Sequence, residues 1–142
     1  MSPPNPVHVL ARVLTEAAPR GLISVYLFGS YAEARAHSES DVDLGVLLHR
    51  DLYPSPRERF EERVRLTAWF IGVLGINAVD VVILNDAPPE LGRRIVTQGQ
   101  RLYCADKQLD QAFVRDVQLR AADLAPFLRR ARRVTLQVLE RS

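Results

Sequence analysis

Residues 41–48 read Asp-Val-Asp-Leu-Gly-Val-Leu-Leu, and no other stretch constrains the fold of this chain as tightly. In a strand, alternation sends Val42, Leu44, Val46 and Leu48 to one face and Asp41, Asp43 and Gly45 to the other. Four branched apolar side chains in a row need a packed layer over them. The opposite face carries two carboxylates whose Cα atoms lie about 7 Å apart, with nothing basic adjoining them closely in sequence. A buried charge is costly unless it is paired or holds a metal. That end of the strand is therefore solvated, paired from a distance, or a site.

The remaining periodicities supply the packing layers. Val7, Leu10, Ala11, Leu14 and Ala18 fall at helical spacing, and Pro19-Arg20-Gly21 stops that helix. Ile23 to Phe28 reads as a buried strand ended by Gly29-Ser30. The alanine-rich segment 31–40 allows a short helix. Arg57 to Leu74 predicts a long helix with Phe60, Val64, Thr67, Ala68 and Ile71 as its apolar stripe and Gly75 as its stop. Ala78 to Leu84 predicts a third strand, interrupted by Asp80. Pro88-Pro89 opens a helix that stops at Gly99, and residues 101–104 allow a short strand. Helical spacing returns from Leu109 to Leu139, where Pro126 is expected to kink or divide the helix. The order α-β-α-β-α-β-α-β-α predicts an α/β (α+β) domain, a small sheet flanked by helices.

Composition narrows the function classes. At 142 residues, with 47% hydrophobic and 25% charged side chains, the chain suits one globular domain with a real core. No apolar run approaches the ~18 residues of a membrane span. The opening Met-Ser-Pro-Pro-Asn-Pro lacks the basic-then-apolar pattern of a secretory leader. The single cysteine, Cys104, cannot form an intrachain disulfide, so a cytoplasmic location is expected. A net charge of +2 argues neither for nor against nucleic acid. Lys107 is the only lysine; the other basic residues are arginine, which reflects compositional bias or a use for planar phosphate- and carboxylate-binding forks.

Two or three carboxylates converging on one sheet repel each other unless divalent cations lie between them, and all-oxygen donors favour Mg²⁺ or Mn²⁺. Taken singly, Asp41 could cap a turn and Asp43 could pair with an arginine at a strand edge. A calcium loop is excluded, because Val46 stands where such a loop needs glycine and Leu52 where it needs the closing glutamate. Gly29-Ser30 follows a strand. Alone it could be an ordinary turn with an N-capping serine. It also has the character of a phosphate cradle, in which glycine lets backbone N–H groups approach an anion. No Gly-x-x-x-x-Gly-Lys occurs, so this is not a P-loop.

The run Leu27-Phe28-Gly29-Ser30-Tyr31-Ala32, followed by Ser40-Asp41-Val42-Asp43-Leu44, resembles the signature of the DNA polymerase β-like nucleotidyltransferases. Within them it is most similar to the minimal nucleotidyltransferases (MNT), the MntA-like antitoxin group of HEPN/MNT toxin–antitoxin pairs. Asp80 in Val79-Asp80-Val81-Val82-Ile83-Leu84 matches that group's third acid, and Gly99-Gln100-Arg101-Leu102-Tyr103 also resembles it. The likeness covers most of residues 7–106. It implies a polymerase β-like nucleotidyltransferase core over 1–106 and a C-terminal helical extension over 107–142, packed on the core or on a partner. It implies catalytic and metal-holding roles for Asp41, Asp43 and Asp80, phosphate binding by Gly29 and Ser30, Mg²⁺ or Mn²⁺ as cofactor and ATP as substrate. It further implies transfer of AMP to a tyrosine hydroxyl of a partner HEPN ribonuclease toxin, with no membrane and no direct nucleic-acid partner. Two alternatives stay open: an antitoxin of this fold that acts by binding alone, and a small-molecule nucleotidyltransferase. The group commonly has Arg-Gly just after the Gly-Ser-x-Ala element. Here Glu33 and Ala34 stand there, and the nearest arginine is Arg35.

The other candidates have plainer readings. His8 reads as a surface or packing residue, His49 as an exposed one, His37 as a solvated loop residue or one that touches nucleotide, and Cys104 as a small buried residue. Trp69 and Phe70 read as core. Arg129, Arg130, Arg132 and Arg133 form either a solvated face or a docking surface for an acidic partner. The apolar residues of the tail, Phe113, Val117, Leu124, Phe127, Leu128 and Leu136, exceed what a free helix carries, so it must cover the sheet, a partner or a second copy.

Overall fold

The computed structural model describes residues 5–29 and 41–140. Helix α1 (Pro6–Ala17) leads into strand β1 (Leu22–Phe28), followed by β2 (Val42–Leu48), α2 (Pro56–Leu74) and β3 (Val79–Ile83). A 3-10 turn (Leu84–Asp86), α3 (Pro89–Gln98), β4 (Gln100–Cys104) and α4 (Lys107–Glu140) complete the chain. The short helix expected within 31–40 lies outside the described residues, as do Ser30, Glu33, Ala34, Arg35 and His37. The four strands form one mixed sheet in the order β3-β2-β1-β4. β1 runs antiparallel to both β2 and β4, and β2 runs parallel to β3.

Local chemistry fixes the helix ends. Asn5 caps α1 by accepting from the Val7 N–H at 2.9 Å, with Pro6 in the first turn. Ser55 caps α2 by accepting from Glu58 N–H at 3.1 Å, and Gly75, at φ 70°, closes it in the left-handed conformation that favours glycine.

The sheet is covered on both faces. Val25, Leu27, Val42, Leu44, Val46, Leu48 and Val81 pack against Leu10 and Leu14 of α1 and Leu66 and Phe70 of α2. Ile23, Tyr26 and Leu47 face the other way, with Leu84 and Ile95 and flanking contacts from Leu91, Val96 and Phe113. The apolar face expected of residues 42–48 is therefore one wall of the main core.

The stripe expected on α2 is not its buried one. Phe60 and Val64 are 59% and 58% exposed, and the inner line is Arg59, Glu62, Leu66 and Phe70. The reason is pairing. Arg59 donates from Nε and Nη2 to both oxygens of Asp86, each at 2.9 Å, and from Nη1 to the Tyr53 carbonyl at 2.9 Å. Glu62 accepts from Arg65 Nε at 3.0 Å. Satisfied charges can hold inner positions that apolar periodicity alone assigns to hydrocarbon. Trp69 packs on the core and meets Phe70 edge-on, with ring centroids 5.3 Å apart. His8 is exposed, whereas His49 and Cys104 are half-buried.

The start of α4 is bolted to the sheet through Asp110, which is 1% exposed. It accepts from the Tyr26 hydroxyl at 2.7 Å and from Arg101 Nη1 at 2.9 Å. Burial, then the hydrogen bond to Asp110, pushes the Tyr26 phenol well above its usual range. Val117 and Ala121 continue the buried side of α4. Pro126 does not divide this helix, which runs through it. The carbonyl freed by the missing N–H is that of Ala122, an exposed residue, so water can take its place.

Candidate active site

The acids expected from sequence gather where β1 ends and β2 and β3 begin. Pairing sets Phe28 opposite Asp43 and Asp43 opposite Asp80, so the two carboxylates sit side by side on adjacent strands. Strand spacing puts their backbones about 5 Å apart. Both point to the face covered by α3, away from the α1–α2 core. Asp41 precedes β2 and is exposed. Farther along the same face of β2, Gly45 lies under α3. A Cβ there would come within 2.8 Å of Ile95 Cγ2 and 3.3 Å of Leu84 Cδ2. The acidic end of the face is thus open, and its floor is closed by packed hydrocarbon.

Gly29 completes this end. Its φ of 75° is left-handed, and a Cβ there would collide with Asp43 Oδ2. The backbone that leaves β1 therefore lies directly against the Asp43 carboxylate. Two independent demands, conformation and close approach, exclude other residues at position 29. Gly29→Ala is expected to displace the Asp43 carboxylate and to cut any activity that depends on that carboxylate at least tenfold. Its strain is about 1–2 kcal/mol, so thermal unfolding will show a modest loss beside the larger loss of activity.

The electrostatics are those of a repelling set. The Asp43 carboxyl is raised above its ordinary range, first by burial and then by the charges of Asp80 and Asp41. Arg63, on α2, supplies a cation that the sequence did not reveal. Its Nη2 lies 3.8 Å from Asp80 Oδ1, and its Nε donates to the Val81 carbonyl at 2.7 Å. Nothing in the sequence pattern marks it, because it reaches the acids only after α2 packs along the edge strand β3. Three carboxylates suit Mg²⁺ or Mn²⁺ as a donor set. Among the described residues, no three His, Cys, Asp or Glu side chains are drawn together closely enough to enclose an ion. What is built is an adjacent pair, Asp43 and Asp80, with Asp41 at its rim.

Residues 14–108 match the family model described as polymerase beta, nucleotidyltransferase. The chain is 30% identical over 104 residues to protein adenylyltransferase MntA of Shewanella oneidensis, covering 73% of this chain and 68% of that one. The fold resembles a chain in a crystal structure of a toxin–antitoxin with AMP-PNP, at 25% identity and a TM-score of 0.60, over 94% of this chain and 98% of that one. It also resembles a chain from tri-AMPylated Shewanella oneidensis HEPN toxin in complex with MNT antitoxin, at 24% identity and a TM-score of 0.58, over 95% and 96% of the two chains. That second likeness is one of fold. With the sequence match spanning the whole sheet and both acid-bearing strands, the chain belongs to the polymerase beta nucleotidyltransferase family.

Proposed function

We propose that this nucleotidyltransferase is an antitoxin that transfers AMP from ATP to a tyrosine hydroxyl of a partner HEPN ribonuclease toxin. The observation that carries the reading is the Asp43–Asp80 pair beside the Gly29 backbone, in a chain 30% identical to a protein adenylyltransferase. The tyrosine oxygen attacks the α-phosphorus of ATP. A new O–P bond forms, the bond to the β-phosphate bridging oxygen breaks, and pyrophosphate leaves. The hydroxyl proton passes to Asp80, the more exposed acid of the pair. Gly29, with Ser30 after it, holds the β- and γ-phosphates through backbone and hydroxyl donors. Asp41, Asp43 and Asp80 would hold Mg²⁺ or Mn²⁺, which neutralises triphosphate charge during in-line displacement. Arg63, 3.8 Å from Asp80, offsets part of its charge.

An adenylate fixed beside an RNA-binding surface repels RNA phosphates, which explains how one covalent group silences a ribonuclease. No helix among the described residues is long and apolar enough to cross a membrane. The lone cysteine suits a reducing cytoplasm.

One sequence feature favours a second reading, neutralisation by contact alone. Glu33 and Ala34 replace the Arg-Gly common in this group, which removes a cation near the phosphates. Incubation of both proteins with ATP and Mg²⁺, followed by intact-mass measurement of the toxin, separates the two. The proposal expects toxin carrying whole AMP units on tyrosine. Inhibited toxin of unchanged mass supports contact alone.

A further inference from the structure

Beyond Ala121, α4 carries an apolar line that lies outside the buried core. Leu124, Phe127, Ala131, Val134 and Val138 follow one another at intervals of three, four, three and four residues, the spacing of a coiled-coil seam. Leu124, Phe127, Val134 and Val138 are 40%, 63%, 58% and 62% exposed, and Ala131 is exposed as well. None of the described domain covers the seam. On the domain side, Val117 packs where a Cβ on Gly92 of α3 would lie 2.9 Å from its Cγ2. The Arg132 charge, farther along, helps lower the Glu90 carboxyl at the start of α3, after the larger effects of Arg93 and Arg94. Val117, Leu124, Ala131 and Val138 stand seven residues apart, so the seam prolongs the line of Val117 into the exposed part of α4.

We propose that this seam docks an acidic amphipathic helix of the partner toxin; the inference rests on the toxin-directed function above. Charge decides between this occupant and a second copy of the chain. Residues 124–139 hold four arginines, at 129, 130, 132 and 133, and no acid. Arg130 occupies the position beside Ala131 and Val134 that faces the partner across a paired-helix seam. Pairing two copies brings four positive charges against four, and antiparallel copies set Arg130 beside Arg130. A partner helix with glutamate or aspartate flanking its own apolar stripe meets the same seam with attraction, faster association and correct register. The tail then serves as a tether that raises the local concentration of the acceptor tyrosine at Asp43 and Asp80, rather than as part of the chemistry.

The test uses full-length proteins. Phe127→Asp with Val134→Asp, and separately Arg130→Glu with Arg133→Glu, are compared with wild type by sedimentation of this chain alone and mixed with the toxin. Thermal unfolding with and without ATP runs alongside. The first pair is expected to weaken toxin binding about 100-fold, the scale of losing two central apolar anchors. The second is expected to weaken it about tenfold at low salt and less at high salt. Unfolding temperature and its rise with ATP should stay at wild-type values, since these side chains touch neither core nor phosphates. Unchanged toxin affinity in both variants overturns the proposal. So does wild-type chain that self-associates and is made monomeric by Phe127→Asp with Val134→Asp. Toxin bound through the seam but never carrying AMP overturns the adenylation reading and leaves the docking inference standing. AMP transfer with seam variants binding normally does the reverse.

Discussion

Asp43→Asn is expected to reduce AMP transfer by about 100-fold or more, the scale of removing one preorganised charge-stabilising group from a reacting phosphate, and to raise the melting temperature of the metal-free protein. The two effects share a cause. Asp43 is held partly out of water beside Asp80 and Asp41, and its carboxyl is raised accordingly. Because folding raises this group, its contribution to stability is fully present below the ordinary aspartate value of about 3.9. It is lost as the pH rises through the raised folded value. The gap in melting temperature between Asp43→Asn and wild type should therefore open as the pH climbs out of the acidic range. Millimolar Mg²⁺ should narrow it by stabilising wild type alone. A variant that transfers AMP at the wild-type rate removes Asp43 from the site. A variant that melts lower at neutral pH makes it a structural residue.

Asp86→Ala should produce the largest loss of stability. It strips two of the three hydrogen bonds of the Arg59 guanidinium, which is 8% exposed, and leaves only the one to the Tyr53 carbonyl. A buried charge left without its partner costs about 3 kcal/mol, which in a chain of this size lowers the melting temperature by roughly 10 °C. Arg59→Met combined with Asp86→Ala should recover much of that loss, because hydrocarbon then fills the space with no stranded charge. If the double variant melts no higher than the single one, the cost lies in packing around the 3-10 turn and not in the ion pair.

These two positions also show how far sequence pattern reaches. The strand at 42–48, its apolar face and the acids on the other face were legible because strand alternation is strict and one-residue slips are costly. Asp80 was legible as an anomaly within a β-branched run. That Asp80 sits directly beside Asp43 depends on β2 and β3 pairing in parallel register, a long-range fact with no local signal. The apolar stripe of α2 was misplaced because Arg59 and Glu62 hold inner positions through partners that only the tertiary fold supplies. Arg63 was invisible for a related reason, since its role comes from the helix lying along the β3 edge. Of the two outcomes expected at Pro126, a kink or a division, the helix is not divided, because its exposed surroundings tolerate one lost backbone bond.

Label transfer reports on the chemistry at Asp43 and Asp80 most directly. The chain, the proposed HEPN partner and Mg²⁺ are incubated in parallel with ATP labelled at the α-phosphate and ATP labelled at the γ-phosphate, with EDTA controls. A nucleotidyl transfer centre puts α-label on the partner, releases γ-label as pyrophosphate, and does neither with EDTA or with Asp43→Asn. Label from the γ-phosphate on the partner, or α-label transfer that survives both EDTA and Asp43→Asn, contradicts it.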